Sequence, residues 1–221
     1  MRFLIVYAHP DRERSHNSAV LRLVKSWMDG RAADYSVIDL YGDGFDPAMP
    51  REEWADHTRI DSQVVGYQRA IREADRLVFI YPVWWYASPA MMKGFFDRVF
   101  TQDFAFNFKK EPGWLKLLKA LSGPFLSTRI LYPLISRLLP LSVIQRMRGK
   151  KALVINTFGG DASGYLLYGR GPQYSADRAV LEFCGIRPVR RVNWFDTRHT
   201  KGEMPGPMRS KMASELERLA R

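Results

Sequence analysis

Three short stretches hold the side chains that could do chemistry. The first, YAHPDRERSHNSA (residues 7–19), offers His9, Ser15 and Asn17 where an apolar strand gives way to a helix. Ser15 is a good N-cap, and a helix amino terminus presents free N–H groups and a positive dipole end. With imidazole, hydroxyl and amide groups beside it, such a terminus is a phosphate site rather than a plain cap. It is neither a GxxxxGK[ST] loop nor a GxGxxG fingerprint. The second stretch, YPVWWYASPAMMKGFFDRVF (81–100), puts Trp84, Trp85 and Tyr86 on a strand-to-helix loop. Rings in that position either plug the gap beneath them or form a wall for a flat aromatic ligand. The third, NTFGGDASGYLLYGRGPQ (156–173), carries Gly159 and Gly160, which let backbone approach a ligand closely, and then Tyr165 in a glycine-rich loop. No HExxH is present and Cys184 is the single cysteine, so no catalytic metal is expected.

The elements around these loops alternate. Apolar runs at 2–8, 35–40, 76–81, 151–157 and 188–195 read as strands. Helical spacing covers 16–28, 59–74, 89–101, 175–184 and 207–220. The expectation is an α/β fold: a doubly wound, five-stranded parallel sheet of order 2-1-3-4-5, in one domain spanning 1–221. In that order strands one, three and four are neighbours, and their carboxyl-end loops meet at the switch point where ligands bind. A phosphate site, an aromatic wall and a close backbone at one place describe a flavin site.

The bulk numbers restrict the rest. With 221 residues, 46% hydrophobic and 26% charged, the chain is of ordinary globular composition. The net charge of +11 is concentrated, because residues 109–151 hold ten of the 34 basic residues and one of the 23 acidic ones. The body is nearly balanced, which argues against nucleic acid as a partner. The stretch 109–150 interleaves Leu, Ile and Phe with Lys and Arg, and prolines at 112, 124, 133 and 140 cut it. It reads as a basic amphipathic helical insertion, either a lid over the site or a contact with an anionic membrane surface or a partner helix. The single cysteine and the lack of a signal-peptide pattern or of about 18 consecutive apolar residues suggest a cytoplasmic setting, peripheral to the inner membrane face if 109–150 binds there.

The quoted motifs resemble the flavodoxin-like NAD(P)H:quinone oxidoreductase family, which also includes flavin-binding ancillary subunits of potassium efflux systems. The likeness covers all but 109–150 and is most specific at PVWWYASPAMMKGFFDRVF. It implies that His9, Ser15 and Asn17 hold flavin phosphates. Pro82, Val83, Trp85 and Tyr86 would line the ring, with Trp84 in the same wall. Thr157, Phe158, Gly159 and Gly160 would meet the ring's polar edge, and Tyr165 would bind and assist catalysis there. It implies hydride transfer from NAD(P)H through flavin to a quinone, a homodimer, and FAD or FMN, with FAD slightly favoured. The rival readings are a regulatory flavoprotein docked on a transporter and a one-electron flavodoxin carrier. One departure concerns catalysis: the family's histidine six residues past the tyrosine is Gly171 here, which leaves the neighbouring Arg170 as the second catalytic candidate beside Tyr165, able to stabilise a reduced flavin anion but not to pass a proton. The other is the length of 109–150.

Overall fold

The computed structural model describes all residues except 57, 58, 111, 115, 118–141, 169, 201 and 202. Strand β1 (Arg2–Tyr7) leads into α1 (His16–Asp29) and β2 (Asp34–Asp39). Helices α2 (Arg51–Ala55) and α3 (Ser62–Glu73) precede β3 (Arg76–Pro82), which feeds α4 (Ala90–Val99). Two short strands follow, β4 (Phe106–Phe108) and β5 (Val143–Gln145), then β6 (Lys151–Thr157). Helices α5 (Ala162–Leu167) and α6 (Gln173–Glu182, π-wound), β7 (Val189–Trp194) and α7 (Gly206–Ala220) complete the chain. The main sheet is parallel, in the order β2-β1-β3-β6-β7, which is the expected order with β6 and β7 as the fourth and fifth strands.

Central strands carry unbroken apolar runs, FLIVY, LVFIYP and ALVI, because both faces are covered. Leu4 and Val6 of β1 point to one side, where Val64 and Ile71 of α3 and Phe95 and Phe96 of α4 cover them. Phe3, Ile5 and Tyr7 point to the other, under Val20 and Val24 of α1 and Leu216 of α7. At roughly 25 cal/mol per Å² of apolar surface, these two layers are the main stabilising term. A buried ion pair ties α2 to α4: Arg98 Nη2 reaches Glu53 Oε1 at 2.5 Å and Arg98 Nε reaches Oε2 at 2.9 Å.

Two expectations need correction. The segment 109–150 is not helical throughout, since β5 at its end pairs antiparallel with β4, Phe106 facing Gln145 and Phe108 facing Val143. Three-residue strands are shorter than the two-residue period needs in order to show. Its middle, 118–141, lies outside the described residues. The glycine-rich stretch holding Tyr165 is likewise not a loop but helix α5, because Asp161 caps it by accepting from the N–H groups of Ser163 and Gly164. Among the described residues, no helix is long and apolar enough to cross a membrane.

Candidate functional site

The carboxyl ends of β1, β3, β6 and β7 surround a cleft of about 690 Å³. Twelve sequence-predicted residues line it. They are His9, Ser15 and Asn17; Pro82, Val83, Trp84, Trp85 and Tyr86; and Thr157, Phe158, Gly159 and Gly160. Tyr165 and Arg170 do not. They line a smaller cavity of about 330 Å³ next to it. Tyr165 is only 7% exposed, and its ring packs edge-on against Phe158, with centroids 5.3 Å apart.

The phosphate end is built on α1. Ser15 caps it, accepting from the Ser18 N–H at 3.0 Å. The N–H groups of His16 and Asn17 precede the helical ladder, and no acidic residue stands in the first turn. His9 Nδ1 lies 3.0 Å from the Asp11 N–H and 2.9 Å from the Asp11 carbonyl oxygen, so it accepts from the first or donates to the second according to the ring tautomer. Burial lowers the His9 pKa, so the ring is neutral at neutral pH. Backbone N–H groups of Arg14 and Glu13 hold the Asp11 carboxyl below its usual range. Asn17 is buried and gives its Nδ2–H to Thr157 Oγ1 at 2.7 Å, while its Oδ1 has no partner among the described residues. An orphaned acceptor costs about 1–3 kcal/mol, and a ligand donor in the cleft would satisfy it.

The aromatic wall is a two-residue turn. Trp84 and Ala87 exchange both backbone hydrogen bonds, at 3.2 and 3.0 Å, and Trp85 and Tyr86 take φ values of 50° and 56°. Left-handed backbone at bulky residues costs about 1–2 kcal/mol each, and strain of this kind collects at functional sites. Trp85 is 97% exposed, so packing does not explain it. Tyr86 is held from behind. Cβ atoms added at Gly164 and Gly171 would lie 2.6 Å from its hydroxyl and 2.4 Å from its carbonyl oxygen. Its ring also lies 4.4 Å from that of Tyr168.

Gly159 and Gly160 form the third wall. Their carbonyls are occupied, by Arg198 Nε at 2.7 Å and the Asp196 N–H at 2.8 Å. Neither N–H group has a partner among the described residues. Five lining residues, Asp11, His16, Asp161, Thr197 and Arg198, were not among the predicted site residues. Thr197 and Arg198 lie beyond the end of β7, and Thr197 Oγ1 donates to Phe158 O at 3.0 Å. Only the proximity of β7 to β6 in the sheet could have signalled them.

An open α/β sheet with this cleft at its switch point is the flavodoxin-like class of ligand-binding fold. A model of the flavodoxin-like fold family matches residues 1–126, and the chain belongs to that family. It is 24% identical to NAD(P)H dehydrogenase [quinone] 1 of Cavia porcellus over 242 aligned positions, covering 99% of this chain and 77% of that protein. Among solved structures, NAD(P)H:quinone oxidoreductase from Methanothermobacter marburgensis superposes with a TM-score of 0.70 at 23% identity, covering 100% of this chain and 98% of that one. An FMN-dependent NADH-azoreductase from Bacillus anthracis, solved in complex with FMN, superposes with a TM-score of 0.65 at 16% identity, covering 100% and 99%.

Proposed function

We propose that this chain is a flavin-dependent NAD(P)H oxidoreductase that reduces quinones. The observation that carries the reading is one cleft lined by a helix amino terminus, a strained aromatic turn and a pair of glycines. The quinone-reductase names of the relatives support it, and they lend no support to a transporter-docked regulator. Bound flavin supplies the two-electron centre that takes hydride from reduced pyridine nucleotide and gives it to the quinone. The residues present fit such a group. The His9 ring, the Ser15 hydroxyl and the N–H groups of α1 would hold phosphate. The Trp84–Tyr86 turn is the wall for the ring, and Asn17 Oδ1 accepts a donor from the cofactor. The Gly159 and Gly160 N–H groups stabilise negative charge at its polar edge. Tyr165 acts through Phe158 as a positioning residue. FMN is the better candidate than the slightly favoured FAD, because the azoreductase neighbour binds FMN.

The reading includes a homodimer in the cytoplasm. Leu166, Leu167, Tyr168 and Trp85 are exposed beside the cleft, an apolar group that a second copy would cover. Sedimentation equilibrium checks this, and a monomer at micromolar concentration would refute it. The activity is tested by steady-state turnover with NADH or NADPH and a simple quinone. Flavin-dependent oxidation of the nucleotide that requires the quinone is expected. No turnover with either nucleotide would remove the proposal.

A further inference from the structure

The smaller cavity next to the cleft has a chemistry of its own. Arg170, Arg191 and Lys211 line it, with the amides of Gln173 and Asn193 and the Tyr165 ring, and no carboxylate is among its lining residues. Arg191 forms the floor and is fixed. Its Nε donates to Asp177 Oδ2 at 2.9 Å, its Nη2 to Pro172 O at 3.2 Å and its Nη1 to Asn156 Oδ1. Asp177 thus neutralises Arg191 from behind, outside the cavity. Arg170 and Lys211 have no such carboxylate among the described residues and supply two further positive charges.

Arg170 is also held in a costly conformation. Its φ is 60°, in the left-handed region, and backbone bonds on both sides fix it: its N–H to Tyr165 O at 3.0 Å, and the Gln173 N–H to its carbonyl at 2.9 Å. That geometry costs about 1–2 kcal/mol at a residue other than glycine. It fixes the backbone of an arginine that lines the cavity together with Lys211 of α7. The remaining wall, from Leu166, Phe195 and the Tyr165 ring, is apolar. Cations and amide donors above an apolar wall suit an oxyanion carried on an organic body.

We propose that this cavity binds a phosphate monoester. Two sources have that chemistry: the 2′-phosphate of a reduced dinucleotide whose other end lies in the cleft, and a free phosphate ester. Phosphate binding in this cavity is independent of the flavin reading, and only the choice between the two sources rests on it. The test is calorimetric titration of the purified protein, with and without excess FMN, using adenosine 2′-monophosphate and inorganic phosphate as probes. Wild type is compared with Arg170→Ala, Lys211→Ala and the double variant. Both residues are exposed, so the variants are expected to fold as wild type does. Binding that persists in excess FMN and weakens tenfold or more in the double variant is the expected result. A parallel rise in KM for NADPH over KM for NADH identifies the dinucleotide as the source. An unchanged ratio identifies a free phosphate ester. Absence of binding, binding that FMN displaces, or binding equal in wild type and double variant would overturn the proposal.

Discussion

Gly171→Ala is the sharpest perturbation of the aromatic turn, because two effects of opposite sign meet there. Residue 171 adjoins the start of α6, where alanine is favoured over glycine by about 0.5–1 kcal/mol. The added Cβ, however, would sit 2.4 Å from the Tyr86 carbonyl oxygen. A carbon–oxygen contact of this kind needs about 3.3–3.6 Å, so the turn must retreat by about 1 Å. Overpacking of this size typically costs about 1–3 kcal/mol, which outweighs the propensity gain. The shift falls on the backbone that carries Trp85 and Tyr86, so part of the cost should appear as lost ligand affinity. A loss of about 1.4–2 kcal/mol weakens flavin binding roughly 10- to 30-fold. The assay is fluorescence titration of apoprotein with FMN, beside thermal unfolding. Gly66→Ala on α3 is the control, because a Cβ there meets nothing within 4 Å and should stabilise the fold. A Gly171→Ala protein with wild-type FMN affinity and wild-type Tm would refute the argument that Gly171 seats the turn.

Trp85→Gly should separate strain from function. Glycine accepts φ near 50° and little packing is lost, so Tm should hold or rise while FMN affinity falls; a lower Tm with unchanged affinity would contradict this. Glu53→Gln should cost about 3–5 kcal/mol, since it leaves Arg98 buried without its countercharge. Hydrogen bonds from Arg98 hold the Glu53 pKa below its ordinary value of 4.5. Its contribution is therefore present above pH 4.5 and is lost as pH falls through the lower folded value. Urea unfolding between pH 3 and pH 7 checks the sign, which is wrong if stability rises on acidification through that range. The basic stretch 109–151 should bind vesicles of anionic lipid at low salt and release them at high salt, each basic residue contributing about 1 kcal/mol at most. Equal, negligible sedimentation with anionic and neutral vesicles would favour the lid reading.

The sheet was legible because its central strands are buried on both faces. LIVY and LVFIY need no alternation to be recognised as strands, and five of them with helices between allow few topologies. The cleft followed from topology, since three of its four loops carry unusual residues at the ends of adjacent strands. The fourth, with Thr197 and Arg198, has ordinary composition and is tied to the third by hydrogen bonds to Phe158, Gly159 and Gly160. Glycines misled at α5, where Gly164 gives room for the Tyr86 hydroxyl and does not loosen the chain. Tyr165 was expected at the ring, but the side chain follows the helix Asp161 starts and ends behind Phe158. Arg191 carried no signal as a strand residue, because its partner Asp177 lies on another element.

The central claim is that the cleft holds one flavin that exchanges electrons with pyridine nucleotide and quinone. The most direct measurement loads the protein with FMN, removes the excess by gel filtration and records the spectrum anaerobically during two additions. One FMN per chain should remain bound, its absorbance should bleach on adding NADH or NADPH, and the colour should return on adding a quinone. Loss of all FMN on the column, or a retained flavin that neither nucleotide bleaches, would contradict the account.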